Sequence, residues 1–250
     1  MSVMLDLEFL GDITRGTSAC RIYEIAAITE NGETFQTYVD PYPNLHILPQ
    51  PLHDECFHIT RDFIKSNQVQ PIENALLRFV QFLNELNADH ITIFAHAAFR
   101  SDKPILSDAI RRTCIQWPSH IRFADTLNIA RIVFPHIQQY DLASLYKHVL
   151  NNSMIHPHTA LCDAIALREI VRAMPHSHHV TVTYSIDQYP LSNLPHIGAK
   201  TELYLMRSAF HPNIPSTHRA MSKLSLTQQK SINVAIRNGI FETNSNDDTF

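Results

Sequence analysis

Apolar and polar positions alternate along the first forty residues of the chain, and this period of two predicts β-strands. Residues 3–9 and 21–28 are the first two predicted strands. Asn31-Gly32 then gives a strong hairpin signal, because both residue types accept positive φ. Residues 34–39 return as a third strand, so the chain is predicted to open with a three-stranded antiparallel meander.

Apolar positions recur at helical spacing in most of the following segments. A proline-rich loop separates the meander from the first of them. The predicted helices are 72–87, 103–113, 126–134, 141–150 and 159–174, with a short strand at 91–95 and a short extended segment at 121–124. A meander followed by alternating helices and strands predicts an α/β layer fold with a mixed sheet.

A histidine-rich stretch around 174–179 marks a predicted boundary, and we interpret it as a polar linker. The predicted division is a domain at 1–174, a linker at 175–189 and a small helical appendage at 190–250. Residues 243–250 have the composition of a frayed tail.

The composition of the chain limits the classes of function that we expect for this protein. With 250 residues and a formal net charge of -4, the chain is not a general polyanion binder, so a nucleic-acid role needs a local basic surface or metal ions. Four scattered cysteines indicate a reducing compartment. The sequence shows no apolar run long enough for a membrane span and no signal-peptide pattern, so neither a membrane span nor secretion is predicted. We therefore expect an intracellular protein, cytoplasmic or nuclear, with no membrane partner.

Two carboxylates interrupt the first strand. Asp6 and Glu8 lie on one face and Val3, Leu5 and Leu7 on the other, because successive strand side chains alternate. Two like charges about 7 Å apart on one face repel each other and resist burial, and a divalent cation would remove both penalties. A solvent-facing polar face of an edge strand is the alternative.

Two more acids and a histidine join this pair later in the chain. Asp102 opens the helix after the strand at 91–95, where capping that helix is the alternative role. Asp163 lies on the apolar side of its helix, where a carboxylate needs a partner. His158 belongs to the loop before that helix, and a capping or surface role is its alternative.

Taken together, Asp-x-Glu on the first strand, a later Asp and a final His-x4-Asp resemble the DEDDh exonucleases, the DnaQ-like or RNase T-like branch of the ribonuclease H-like superfamily. The resemblance covers about residues 3–173. Further similar elements are Arg21–Ile28, His58-Ile59-Thr60, Ala95–Leu106, Phe123–Leu127 and Tyr140–Leu145.

The resemblance implies a ribonuclease H-like mixed sheet flanked by helices and a 3′→5′ exonuclease that releases 5′-mononucleotides from single-stranded DNA or RNA ends. It further implies that Asp6, Glu8, Asp102 and Asp163 hold two Mg²⁺ or Mn²⁺ ions, which activate the attacking water and stabilise the leaving oxygen. His158 would take the proton of that water.

Three positions depart from the family pattern. Phe9-Leu10-Gly11 replaces Thr-Thr-Gly, Ala97 replaces an asparagine, and Ser101 replaces an aromatic residue. Since the metal and base positions are filled, we expect an active enzyme.

The predicted substrate-binding residues are Phe9, Leu10, His96 and Lys200. Lys200 belongs to a segment, 191–201, that is similar to a helix-hairpin-helix element, although His196 replaces its usual first glycine. Basic residues outnumber acids after Pro190, with Glu202 the sole acid up to Phe241, which favours a nucleic-acid surface and tilts the substrate towards DNA. A helical cap on the nuclease domain is the alternative.

The competing function is a catalytically inactive nucleic-acid-binding or scaffold protein that keeps the exonuclease fold. A metal-independent hydrolase has little support, because the chain has neither a Gly-x-Ser-x-Gly elbow nor a glycine-rich phosphate loop. The sequence leaves the oligomeric state open.

Overall fold

The chain folds around a seven-stranded mixed sheet with helices on both faces. The structure, a computed structural model, describes residues 1–41, 69–154, 159–174, 181–188, 190, 193–207 and 223–237. Its strands are β1 (Ser2–Leu10), β2 (Arg21–Thr29), β3 (Thr34–Val39), β4 (Val69–Gln70), β5 (Ile91–Ala95), β6 (Ile121–Asp125) and β7 (Thr183–Tyr184). Its α-helices are α1 (Ile72–Glu85), α2 (Asp102–Thr113), α3 (Thr126–Val133), α4 (Leu142–Leu150), α5 (Ala160–Ala173), α6 (Ala199–Arg207) and α7 (Leu226–Arg237).

The predicted antiparallel meander is present as β1, β2 and β3. Its second turn is a hairpin closed by hydrogen bonds from Thr29 N to Glu33 O (2.8 Å) and from Gly32 N to Thr29 O (3.1 Å). Gly32, and not Asn31, takes the positive φ of this turn, at 101°. Glycine meets that requirement without a steric penalty, which explains the strength of the sequence signal.

The parallel half of the sheet positions the acids. The sheet order is β4-β3-β2-β1-β5-β6-β7, and β5 runs parallel to both β1 and β6. The ladder between β1 and β5 covers only Ser2–Met4 against Thr92–Phe94. The rest of β1 therefore extends past the end of β5, where the chain turns into α2.

Two hydrophobic cores lie on opposite faces of the sheet. Val3, Leu5 and Leu7 of β1 belong to the core that includes residues of α1 and α2. Met4 belongs to the other core, with residues of α3, α4 and α5. The alternating side chains of β1 thus supply both layers, and the predicted mixed α/β architecture is confirmed.

The predicted linker at 175–189 differs from what the structure shows. Thr183–Tyr184 form β7, which pairs antiparallel with β6, and Tyr184 is buried in the first core. A two-residue ladder is too short to show a period of two in the sequence, so the pattern gave no signal there. The proposed domain bounds stay a prediction.

The C-terminal part contains α6 and α7, as the helical pattern predicts, with a small core of Leu194, Ile197, Leu205, Ile232 and Ala235. Within the described part of the chain, every helix is too short or too polar to cross a bilayer.

Candidate active site

Three carboxylates from β1 and α5 meet above the sheet. One carboxylate oxygen each from Asp6, Glu8 and Asp163 lies within 4.8 Å of the other two. The local reason is the alternation of β1, which turns Asp6 and Glu8 to the same face as Met4. Met4 packs in one core with Ala164 of α5, the neighbour of Asp163 in sequence. Packing of α5 on this face therefore brings the third acid to the first two.

Asp102 contacts β1 through its side chain. Its Oδ1 accepts a hydrogen bond from Leu7 N (3.2 Å), and its Oδ2 accepts one from Ser101 Oγ (2.7 Å). Asp102 is the first residue of α2 and Ser101 is the N-cap residue, so the predicted alternative of a capping Asp102 is not adopted. Because Leu7 lies between Asp6 and Glu8, this bond brings the fourth acid to the acidic pair.

The charges in this cluster oppose ionisation. Burial, followed by the negative charges of Asp102, Asp163 and Glu8, raises the pKa of Asp6 well above its usual value. Burial also raises the pKa of Asp102 to about 7, although hydrogen bonds from Ser101 and Leu7 oppose that shift. Carboxylates arranged in this way gain most from a bound cation, which neutralises the charges that repel one another.

The donor set fits hard divalent cations. Four carboxylates offer only oxygen ligands, which suit Mg²⁺ and Mn²⁺ and not the softer metals that prefer thiolate or imidazole. Asp108 on α2, by contrast, forms ion pairs with Arg111 and Arg112. The residues present therefore match the metals that the family resemblance implies.

Glu8 is surrounded by polar groups from β2 that the sequence reasoning missed. The register between β1 and β2 shifts between Glu8 and Phe9, and Glu8 lies opposite Glu24. Tyr23 Oη donates a hydrogen bond to Glu8 Oε2 (3.3 Å). Glu24 is 0% exposed and accepts a hydrogen bond from Gln36 Nε2 (2.8 Å), and its charge contributes to the raised pKa of Asp6. The sequence did hold a signal for Glu24, because it is a glutamate inside an otherwise apolar strand.

The turn before α2 contains two of the departures from the family pattern, Ala97 and Ser101. Ala97 has φ of 57°, and its carbonyl accepts hydrogen bonds from Arg100 N (2.8 Å) and Ser101 Oγ (3.2 Å). Left-handed backbone favours asparagine among non-glycine residues, and alanine adopts it at a cost of roughly 1–2 kcal/mol. Ser101 therefore closes the turn and also holds Asp102.

The predicted substrate-binding residues differ in how far their side chains are exposed and in what they contact. Phe9 is half-buried against the first core, while Leu10 is only 3% exposed. His96 contacts Thr126 Oγ1 through Nδ1 (3.1 Å) and the Tyr140 carbonyl through Nε2 (2.6 Å). Burial lowers the pKa of His96, which keeps the ring neutral. The side chains of Leu10 and His96 are thus engaged inside the fold, and their substrate role stays a prediction.

His158, the predicted base, lies outside the described residues, as do His58, Ile59 and Thr60. The described chain resumes at Thr159, the N-cap residue of α5, one turn before Asp163. In sequence, His158 directly precedes Thr159, the N-cap residue of the helix that supplies the final acid.

In the hairpin-like segment before α6, His196 occupies the position of the usual first glycine. His196 has φ of 66°, the positive value that glycine would supply. Lys200 is exposed, as a phosphate contact requires. Glu202, predicted to be the one acid among these basic residues, is 1% exposed, so its carboxylate does not lie on that surface.

Comparison with known proteins finds likeness of fold among solved structures. No protein-family model matches the chain, and no curated protein matches it. Among solved structures, the nuclease domain of 3′hExo, a DEDDh family member bound to rAMP, is similar with a TM-score of 0.58 and 14% identity over 74% of this chain and 96% of that one. Cell-death related nuclease 4 (CRN-4) is similar with a TM-score of 0.55 and 17% identity over 69% of this chain.

The chain has a DEDDh exonuclease-like fold. The match spans 62% of the CRN-4 chain, less than two thirds of its length. At these identities the likeness is one of fold, and the roles of individual residues rest on the geometry described above.

Proposed function

We propose that this protein is a metal-dependent 3′→5′ exonuclease that hydrolyses phosphodiester bonds at single-stranded nucleic-acid ends and releases 5′-mononucleotides. The observation that carries the proposal is the convergence of Asp6, Glu8 and Asp163, with Asp102 bonded to the backbone between the first two. Like charges that the fold brings together repel one another, and a bound cation would remove that penalty.

In this proposal Asp6, Glu8, Asp102 and Asp163 hold two Mg²⁺ or Mn²⁺ ions. Such ions, when bound, activate the attacking water and stabilise charge on the leaving oxygen. The chain itself keeps the ligands in place, since Leu7 N and Ser101 Oγ hold Asp102 and Tyr23 Oη holds Glu8.

His158 would accept the proton of the attacking water, because imidazole has a pKa near neutrality. Half-buried Phe9, next to Glu8 in β1, offers a surface for stacking of the terminal base. Exposed Lys200 at the start of α6 would contact a phosphate, and the hairpin conformation at His196 supports DNA slightly over RNA.

The test is incubation of the purified protein with 5′-end-labelled single-stranded DNA and RNA in Mg²⁺, Mn²⁺ or chelator. We expect a ladder that shortens from the 3′ end, mononucleotide products, and no shortening in chelator. Asp163→Asn should abolish the ladder, whereas the matched change at an exposed acid, Asp89→Asn, should leave it intact. Wild-type cleavage that survives the chelator would contradict the proposal.

The inactive-protein alternative is favoured by the replacements at Ala97 and Ser101, two residues of the turn that leads to Asp102. It predicts retained binding of single strands, measured by fluorescence anisotropy, with no release of mononucleotides in either metal.

A further inference from the structure

The turn that leads into Asp102 is held from outside by the C-terminal part of the chain. Asn193 Nδ2 donates a hydrogen bond to the Phe99 carbonyl (2.7 Å). The Phe99 ring meets the Tyr184 ring edge-to-face, with centroids 5.1 Å apart and an interplanar angle of 87°. Both contacts join residues more than eighty positions apart in the sequence, so they exist only in the folded chain.

Lys103 makes the equivalent connection on the other side of Asp102. It is 4% exposed, and its Nζ donates hydrogen bonds to the carbonyls of Ile186 (2.9 Å) and Gln188 (2.6 Å). A buried ammonium is stable only where acceptors replace its water, and two of them come from this one segment. The segment and the first turn of α2 are therefore tied together.

Glu202 anchors α6 to the sheet in the same region. It is 1% exposed, and its two carboxylate oxygens accept hydrogen bonds from Tyr184 Oη (2.7 Å) and Asn128 Nδ2 (3.1 Å). Removal of a buried partner would leave the remaining groups unsatisfied, which destabilises the fold. The C-terminal segment is thus fixed to β7 and α3, and it can transmit that rigidity to the turn at Phe99.

We propose that five residues, Tyr184, Ile186, Gln188, Asn193 and Glu202, form a C-terminal brace that holds Asp102 in position for metal binding. Asn193 and Lys103 are then positioning residues of the metal centre, although neither is an acid of the cluster. The inference rests on the proposed function in one respect only, namely that Asp102 is a metal ligand.

The physical basis is the sensitivity of metal sites to the groups behind their ligands. Loss of such outer partners typically lowers metal affinity by about 10–100-fold. Asp102 has two local restraints, Leu7 N and Ser101 Oγ. The brace adds restraints on both sides of Asp102 in the chain, at Phe99 before it and at Lys103 after it. A purely stabilising role would lower the free energy of unfolding without a selective loss of metal affinity.

The experiment measures Mn²⁺ affinity by calorimetry on the full chain, for the wild type, Asn193→Ala and Lys103→Met. The matched control is Gln228→Ala, which removes hydrogen bonds to Thr201 Oγ1 (3.0 Å) and the His196 carbonyl (3.3 Å) inside the C-terminal region but none to the Asp102 turn. Hydrogen exchange in the metal-free protein gives a second reading, at the Leu7 amide that donates to Asp102.

We expect Asn193→Ala and Lys103→Met to weaken Mn²⁺ binding by about tenfold, as for the loss of an outer partner, and to speed exchange at Leu7 relative to Leu5. Gln228→Ala should lower stability with unchanged Mn²⁺ affinity. Wild-type affinity in Asn193→Ala and Lys103→Met, or an equal loss in the control, would overturn the brace.

The proposed function and the brace can be rejected by different results. A wild type that binds Mn²⁺ but releases no nucleotides would reject the exonuclease and leave the brace standing. A wild type that binds no Mn²⁺ would reject both.

Discussion

Two groups of acids in this protein are stabilised in different ways. Asp108, Asp125 and Glu202 each have donors to match: two arginines for Asp108, backbone amides for Asp125, and Tyr184 with Asn128 for Glu202. Asp6 is instead surrounded by other carboxylates, and, after burial, their negative charges are what raises its pKa.

In the proposed function, this difference separates acids with a structural role from acids that would hold metal. An acid that meets donors replaces its lost water within the chain and needs nothing further. Acids that meet one another remain at a raised free energy until a cation joins them. The comparison predicts that changing a carboxylate to an amide has opposite results in the two groups of acids.

The largest effect is expected at Asp163. Asp163→Asn removes a metal ligand, and the loss of several kcal/mol of transition-state stabilisation corresponds to a fall in turnover of about 10³-fold or more. The metal-free protein should be at least as stable as the wild type, because one like charge leaves the cluster. Rates on labelled single-stranded DNA and urea unfolding in chelator measure the two effects. An unchanged rate would remove Asp163 from the site.

His158→Ala should cost roughly 10²–10⁴-fold in turnover, the usual contribution of a general base. The low-pH limb of the rate profile should disappear with it. A limb that persists in the variant would assign the titration to another group, and Asn152→Ala, in the preceding loop, serves as the control.

The metal-free protein should lose stability as pH rises. The folded pKa of Asp102 is about 7, above the ordinary 3.8, so the folded state binds more protons than the unfolded state between these values. The free energy of unfolding should therefore be highest below pH 4 for this group and fall by a few kcal/mol up to about pH 7. Asp102→Asn should flatten that slope, measured by urea unfolding in chelator, and an unchanged slope would contradict the assignment.

The smallest effect is expected at Asp108, a structural acid of α2. Asp108→Asn weakens ion pairs with Arg111 and Arg112, whose side chains are 74% and 40% exposed, so the loss should be about 1 kcal/mol or less. Turnover should be unchanged, because Asp108 pairs with Arg111 and Arg112 and is not an acid of the cluster. A large loss of activity would break the distinction between the two groups.

Local periodicity was enough to predict most of this fold. The three strands of the meander and the helices α1–α5 follow from alternation and helical spacing, because each buries one apolar face against the sheet. The acids on β1 and α5 stood out for the same reason, as charges on faces that should be apolar.

Long-range contacts could not be read from the sequence in this way. The bond from Leu7 to Asp102 and the brace at Asn193 and Lys103 join distant positions with no shared spacing. The buried position of Glu202 could not be predicted either, because its partners, a tyrosine and an asparagine, give no charge signal.

The most direct test is the number of Mn²⁺ ions bound per chain, measured by equilibrium dialysis of the wild type and Asp6→Asn. Convergent acids predict about two ions per wild-type chain, as in two-metal sites generally, and a clear reduction in the variant. Equal binding by both proteins, or none by the wild type, would contradict the metal centre.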